Sequence, residues 1–234
     1  MILPIDTFRK YFGDYGLEIS DDIYEKFYRY SVLLVSWNEK MNLTAITDPE
    51  GISVKHFLDS VLLVKYCSIP ENAKLADIGT GAGFPGIPLK IYRDDTDVTL
   101  IDSLNKRINF LKTVSDELDL SMNCIHSRAE EGGKDPQLRE KFDVVTARAV
   151  AAMPVLCEYC LPYVKVGGFF AAMKGPNENI DAAANAVKIL GGKIEKIENY
   201  DLNGDGRTII IVRKISHTPI KYPRNSGQIS KKSL

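Results

Sequence analysis

The sequence lacks the features that mark several classes of protein. No apolar run approaches the ~20 residues that a helix needs to cross a bilayer, and the first residues carry no basic-then-apolar signal. We therefore expect a cytoplasmic protein with no membrane partner. Histidine is scarce as well, with three residues, and there is a single tryptophan.

Cysteine is also rare, and its spacing argues against a metal site. The chain has four cysteines, at positions 67, 124, 157 and 160. Cys157 and Cys160 form one C-x-x-C pair, but a zinc site needs a second such pair or nearby histidines, and the sequence has neither. We predict buried thiols on one face of a helix, and no metal.

Neither sign of charge dominates. The 234 residues hold 30 Lys and Arg against 31 Asp and Glu, a net charge of −1, so no global field attracts nucleic acid. The distribution is uneven, however. Residues 213–234 carry six basic side chains and no acidic one, which leaves room for a local basic patch.

The hydrophobic pattern divides the chain into three parts. Residues 1–70 predict a helical extension, because apolar side chains recur at alternating spacings of four and three residues from Ile23 to Met41. Ser20 precedes that helix as its predicted N-cap. Strands and helices alternate over residues 71–215, and residues 216–234 lack periodicity, which predicts a partly ordered basic tail.

The alternating part predicts an α/β fold with a mostly parallel sheet, because repeated β-α units place helices on both faces. We expect the helix after the second strand to be capped by Ser103, and the last two strands to form an antiparallel hairpin at the edge. The predicted strands are 74–78, 97–102, 122–126, 142–147, 167–174, 193–201 and 207–213, and the predicted helices between them are 86–92, 104–118, 153–159 and 177–190.

Residues 76–86 combine a strand end, a glycine turn and a helix start, in the order Ala-Asp-Ile-Gly-Thr-Gly-Ala-Gly-Phe-Pro-Gly. Glycines at 79, 81 and 83 permit positive φ and close approach of a ligand to the backbone. The next predicted strand ends at Asp102, where a carboxylate can accept hydrogen bonds from two ribose hydroxyls. This order predicts a pocket for a nucleotide-like cofactor.

Two classes of cofactor use such a turn. Residues 81–86 match the dinucleotide pattern G-x-G-x-x-G, which favours an NAD-dependent oxidoreductase. Against it, the apolar strand ends at Ile78, well before Gly81, and Asp102 comes early for a spacing counted from that glycine. Residues 77–83 instead match the D-x-G-x-G-x-G motif of methyltransferases that bind S-adenosylmethionine, which we favour.

Several blocks in one order resemble a single family. Residues 77–89 (Asp-Ile-Gly-Thr-Gly-Ala-Gly-Phe-Pro-Gly-Ile-Pro-Leu) look like the signature of the bacterial ribosomal RNA small subunit methyltransferase G family, also called glucose-inhibited division protein B. Further blocks that resemble the family lie at 37–46, 56–60, 102–107, 128–131, 146–150 and 222–227. The tail departs from the family pattern at Ile229 and Ser233, where prolines are expected.

The resemblance implies a Rossmann-like class I methyltransferase fold and transfer of a methyl group from S-adenosylmethionine to N7 of one guanine in 16S rRNA. The family's cofactor contacts, carried over by motif, fall on Gly79, Phe84, Ala129, Glu130 and Arg148. From the residues themselves we add Gly81, in the turn, and Asp102, for the ribose. Phe84 is expected to pack on the cofactor, and residues 129–130 to meet its adenine end.

The expected chemistry explains what the sequence lacks. N7 of guanine has a free lone pair and no proton, so that catalysis is mostly positioning and electrostatics, and we assign no catalytic residue. The Asn/Asp-Pro-Pro-Tyr segment of amine methylators is missing, and no cysteine lies in a loop suited to attack a pyrimidine ring.

Basic residues near strand or helix ends, with the tail, are candidates for contact with RNA phosphates. They are Lys106, Arg128, Lys174 and Arg224. The expected partner is 16S rRNA or the small ribosomal subunit. Besides the oxidoreductase, the alternative is a non-enzymatic ribosome-assembly factor that keeps the pocket for folding.

Overall fold

A computed structural model describes residues 1–176 and 178–234. The chain begins with α1 (Ile5–Gly13) and α2 (Asp21–Met41). The predicted cap of the long helix is present, because the Ser20 hydroxyl accepts a hydrogen bond from the Ile23 N–H at 3.2 Å. Asn42, which has φ of 50°, caps the C-terminus of the helix after Met41.

The second helical pattern of the extension forms a buried, irregular segment. It consists of α3 (Pro49–Gly51), a π-helix (Ile52–Leu58), α4 (Asp59–Val61) and α5 (Leu63–Tyr66). From Gly51 to Leu63 only Lys55 is exposed, so the π-helix is covered on nearly every side. π-Helical turns are rare and often occur at functional sites.

The described residues form a sheet of seven strands in the order β3-β2-β1-β4-β5-β7-β6. The first five strands are parallel, whereas β7 runs antiparallel to both β5 and β6, which confirms the predicted hairpin at one edge. The strands are β1 (Lys74–Ile78), β2 (Asp97–Asp102), β3 (Met122–His126), β4 (Phe142–Arg148), β5 (Val164–Lys174), β6 (Gly192–Leu202) and β7 (Asp205–Lys214).

Helices cover both faces of this sheet, as the β-α alternation predicts. They are α6 (Gly86–Tyr92), α7 (Asn105–Glu117), α8 (Ala129–Gly132), α9 (Met153–Cys160), α10 (Ala184–Ile189) and, in the tail, α11 (Ser226–Lys231). Successive β1 side chains point to opposite faces, so Leu75 joins the core under the N-terminal extension, whereas Ala76 joins the core under α9 and α10. Cys157 and Cys160 are fully buried in that second core, as expected.

Three local predictions differ from the structure. Helix α7 begins after Leu104, and Ser103 is not its cap; the Asp102 carboxylate accepts the Leu104 N–H instead, at 2.9 Å. Strand β5 begins three residues earlier than expected. The predicted helix over 177–190 is shorter: it comprises a 3-10 turn (Asp181–Ala183) followed by α10, and its predicted first residue, 177, lies outside the described residues.

The basic tail is better ordered than its lack of periodicity predicts. The Arg139 guanidinium donates to the backbone carbonyls of Thr218 (2.7 Å) and Tyr222 (2.8 Å), and the Tyr222 side chain is buried. Asn225 begins α11 with a capping box, and Ile229, one of the two departures from the family pattern, is buried. Contacts with distant residues hold this segment in place, and these leave no periodic pattern in the sequence.

No helix among the described residues combines the length and the apolar character that crossing a bilayer requires.

Candidate active site

The glycine turn after β1 is held by a buried carboxylate. Asp77 is fully buried, and its Oδ2 accepts hydrogen bonds from the Thr80 hydroxyl at 2.6 Å and from the Gly86 N–H at 2.9 Å. Burial raises the pKa of Asp77 to about 6, and these hydrogen bonds limit the rise. The side chain thus joins the start of the turn to the start of α6.

The three glycines of the turn adopt the left-handed conformations that the motif predicts. Gly79, Gly81 and Gly83 have φ of 69°, 63° and 101°. A Cβ at Gly83 would collide with the Ile87 side chain, whereas a Cβ at Gly81 would meet no atom within 4 Å. The backbone at Gly81 therefore faces open space, as a ligand-binding turn requires.

Asp102 ends β2 and fixes the turn from the opposite side. Its Oδ2 accepts the Gly81 N–H at 3.0 Å and lies 3.2 Å from an Arg107 nitrogen, while its Oδ1 accepts the Leu104 N–H at 2.9 Å. The side chain is 2% exposed. One carboxylate thus connects the glycine turn with the first turn of α7.

A cleft of about 310 Å³ opens at the carboxyl ends of β1, β2 and β4, where open α/β sheets bind their ligands. We call it the first cleft. Its volume lies at the small end of the range for ligand pockets, roughly 300–1,000 Å³. It is lined by Ile78, Gly79, Ile101, Asp102, Ser103, Arg107, Ser127, Arg128, Ala129, Glu130, Ala149, Val150, Tyr159 and Ser226.

The hydrogen-bond acceptors and the apolar walls of this cleft fit S-adenosylmethionine. Asp102 offers a carboxylate, and Ile78 and Ile101 offer apolar surface. Gly79 lines the cleft, whereas Gly81, which has open space at its Cβ position, is not in the lining. Glu130 is 7% exposed and makes neither a salt bridge nor a side-chain hydrogen bond with any residue that the structure describes. Such a buried acceptor is available to a hydroxyl or amino group of a ligand.

Phe84 and Arg148 lie beside the first cleft and are not part of its lining. The Phe84 ring stacks on the His56 ring, with centroids 4.4 Å apart, and the Arg148 guanidinium lies 4.8 Å from the Phe84 centroid. The N-terminal extension supplies this neighbour, since His56 belongs to the π-helix. Arg148 is also the last residue of β4.

Arg148 is fixed by the same buried segment. It donates to the Lys55 carbonyl at 3.0 Å, and it lies 3.2 Å from the Asp59 carboxylate and 3.3 Å from His56 Nδ1. Burial and the Arg148 charge lower the pKa of His56 to about 3. His56 is therefore neutral at physiological pH, and Thr44 lies 2.8 Å from its Nε2.

A second cleft, of about 360 Å³, adjoins the first. The two clefts share Ala149, the residue after β4, which adopts φ of 58°. The second cleft is lined by Ile46, Lys55, His56, Asp59, Arg148, Ala149, Met173, Lys174, Gly175, Glu178, Tyr200 and Arg207. The sequence did not single out three of these residues, Asp59, Tyr200 and Arg207, although Asp59 lies in the 56–60 block.

The predicted RNA contacts are scattered around this region. Lys106 is exposed in the first turn of α7, and Arg128 lines the first cleft. Lys174 lines the second cleft and donates to the Ala151 carbonyl at 2.7 Å. Arg224 instead pairs with the fully buried Glu158, with a distance of 2.7 Å from Nη2 to Oε2.

Curated relatives resemble the whole chain. A protein named ribosomal RNA small subunit methyltransferase G from Clostridium beijerinckii is 51% identical, and the match covers 98% of each chain. Proteins of the same name from Clostridium perfringens and Acetivibrio thermocellus are 48% and 50% identical, over 98% and 94% of this chain and 98% and 92% of theirs.

Solved structures agree on the fold. A SAM-dependent methyltransferase from Aquifex aeolicus superposes with a TM-score of 0.53 at 17% identity, over 76% of this chain and 97% of the other. A SAM-dependent O-methyltransferase from Thermotoga maritima gives a TM-score of 0.53 at 14% identity, over 80% and 72%. The chain therefore has the Rossmann-like methyltransferase fold. A family model described as rRNA small subunit methyltransferase G (GidB) matches residues 23–209, and with the similarity over nearly the full length this shows that the chain belongs to the rRNA small subunit methyltransferase G family.

Proposed function

We propose that this S-adenosylmethionine-dependent methyltransferase modifies N7 of a guanine in 16S rRNA, within the naked RNA or the small ribosomal subunit. The observation that carries the proposal is the junction of two clefts at Ala149. One cleft suits the cofactor, and the other is lined by cationic side chains that suit a nucleic acid. Relatives that match 98% of the chain are named for methylation of small subunit ribosomal RNA.

In this proposal the first cleft holds the cofactor. Gly79 in the lining and Gly81 in the same turn contact the methionine part, and Asp102 accepts hydrogen bonds from the ribose hydroxyls. Ala129 and Glu130 meet the adenine end. Phe84 and Arg148 act from beside the cleft, where the stack on His56 and the Asp59 pair keep them in place.

S-adenosylmethionine, when bound, supplies an electrophilic methyl group. Because N7 of guanine is unprotonated, no side chain has to remove a proton, and we assign no catalytic acid or base. The residues of the two clefts instead orient the base and exclude water, which is catalysis by positioning and electrostatics. The buried Asp59 is already engaged by Arg148, Tyr200 and Arg207, which agrees with this view.

The cytoplasm, where ribosomal subunits assemble, is the proposed location. Arg128 and Lys174 line the two clefts, and Lys106 precedes Arg107, which lines the first cleft. All three are proposed to contact RNA phosphates. Arg224 is proposed with them, although its charge is already paired with Glu158. The proposed division of the chain is a helical extension (1–70), a methyltransferase domain (71–215) and a basic tail (216–234).

The test compares ligands and RNA substrates. Isothermal titration calorimetry should show binding of S-adenosylhomocysteine and none of NAD. Tritiated S-adenosylmethionine should label small subunit RNA from cells that lack this gene, as naked RNA or in assembled subunits. Binding without label in either form would favour a non-enzymatic assembly factor, and binding of NAD alone would favour an oxidoreductase.

A further inference from the structure

The second cleft has the chemistry of a nucleotide-binding site. Four of its lining residues are cationic, against two carboxylates. The cations are Lys55, Arg148, Lys174 and Arg207, and the carboxylates are Asp59 and Glu178. Apolar surface from Ile46 and Met173 completes the wall. Glu178 pairs with Lys174, and Asp205, which is outside the lining, pairs with Lys55, so that the net excess is one positive charge. That charge beside an apolar wall suits a ligand with a phosphate and a flat base.

Asp59 holds two of the four cations of this cleft, the guanidinium groups of Arg148 and Arg207. Its carboxylate is 4% exposed and lies 3.2 Å from Arg148, 3.5 Å from Arg207 and 2.9 Å from the Tyr200 hydroxyl. One negative charge thus serves two guanidinium groups. Because each guanidinium has five N–H donors, both retain donors for a ligand after pairing with Asp59.

The floor of the cleft joins three parts of the chain. Asp59 belongs to the N-terminal extension, Arg148 ends β4, and Tyr200 and Arg207 lie on the edge hairpin. The extension and the hairpin therefore complete a pocket that the Rossmann-like core alone would leave open. Arg207 lies 3.7 Å from Asp205, which in turn is 2.9 Å from Lys55, so these two cations lie near one another. A phosphate that binds both cations has to displace the partly exposed Asp205 carboxylate from them.

We propose that the second cleft binds the target nucleotide of the RNA, unstacked from its neighbours, with the base toward Ala149 and a phosphate at Lys55 and Arg207. This inference rests on the proposed function, since Ala149 is where the second cleft meets the cofactor site. Enzymes that modify a base act on a single strand or turn the base out of its stack, and a cleft of about 360 Å³ encloses one nucleotide rather than a helical RNA segment.

Gly175 offers a way to block this cleft without disturbing the first. It lines the second cleft, has no positive φ, and a Cβ there would meet no atom within 4 Å. Gly175→Trp therefore adds bulk to the cleft with little expected strain. Gly13, at the end of α1, also has open space around its Cβ, so Gly13→Trp is the matched control.

Arg207→Gln is a second probe that adds no bulk. Its control is Arg213→Gln on the same strand, where the guanidinium pairs with Glu195 away from the cleft. For each variant, calorimetry measures S-adenosylhomocysteine affinity, saturation-transfer NMR measures guanosine 5′-monophosphate binding, and a single-turnover assay measures methylation of small subunit RNA.

We expect Gly175→Trp and Arg207→Gln to keep S-adenosylhomocysteine affinity within about twofold, to lose the monophosphate signal, and to methylate RNA ~10-fold more slowly or worse. Both controls should resemble the wild type. The proposal would be overturned if either cleft variant bound the monophosphate and methylated RNA as well as the wild type does. It would also be overturned if the wild-type protein gave no monophosphate signal. A third outcome separates the two proposals: the wild type binds the monophosphate, Gly175→Trp does not, and the wild type methylates no RNA. That outcome would refute the proposed function but leave the second cleft as a nucleotide-binding site.

Discussion

Asp102→Ala tests the cofactor site directly. The carboxylate accepts the Gly81 and Leu104 N–H groups and pairs with Arg107, so its removal deprives the glycine turn of one support. It also removes the proposed acceptor of the ribose hydroxyls. A hydrogen bond to a charged group contributes about 1.5–3 kcal/mol. Water at the open cleft compensates the ribose hydroxyls in part for the lost acceptor, which leaves a loss of ~2.7 kcal/mol in the free energy of ligand binding, or about 100-fold in Kd.

Calorimetry with S-adenosylhomocysteine measures this loss. Asp97→Ala is the matched control, because Asp97 begins the same strand at the opposite end of the sheet and is exposed there. We expect the control to bind like the wild type. Asp102→Asn, which keeps one oxygen acceptor but no charge, should fall between them at about tenfold. Wild-type affinity in a folded Asp102→Ala protein would refute the assignment of this carboxylate.

Three further predictions concern stability. Burial and Arg148 lower the pKa of His56 to about 3, so the folded protein disfavours the protonated form. The contribution of His56 to the free energy of unfolding should be fully present above pH 6.5 and should decrease below it, by about 1.4 kcal/mol at pH 5.5. In urea unfolding, His56→Gln should lack this pH-dependent loss. Gly83→Ala should lower the unfolding temperature by about 5 °C in a thermal scan, because a φ of 101° is strained for alanine. An unchanged unfolding temperature would show that this position carries no such strain. Arg224→Met should lower the free energy of unfolding in urea by about 3 kcal/mol, because it leaves the fully buried Glu158 without its partner. The control Lys231→Met, at an exposed position, should have no effect. If Arg224→Met is as stable as the wild type, the ion pair does not hold Arg224, and its side chain is available to RNA.

The elements around the glycine turn could be predicted from sequence because local signals determine them. Strands β1 and β2 and helix α6 have the predicted bounds, since a short apolar run, a turn with positive φ and a proline-led helix start each act within a few residues. The position of Asp102 follows from the same alternation. This local consistency is why the first cleft could be anticipated.

The second cleft could not be anticipated, because its residues meet only in the folded chain. Asp59 and Tyr200 are 141 positions apart, and no pattern in the sequence pairs them. The π-helix was not predicted either. It lies in a segment that is buried on nearly every side, and the periodicity of apolar residues does not distinguish it from an ordinary helix. Ser103 illustrates a competing local effect: Asp102 takes the hydrogen bond at the start of α7, so the serine has no capping role.

The most direct test of the central claim is to locate the methyl group on the RNA. Small subunit RNA from cells that lack this gene is incubated with the purified protein and S-adenosylmethionine, digested and analysed by mass spectrometry of its fragments and nucleosides. We predict one new 7-methylguanosine at a single position in 16S rRNA. A methyl group on another atom or another base, or no methylation of either naked RNA or assembled subunits, would contradict it.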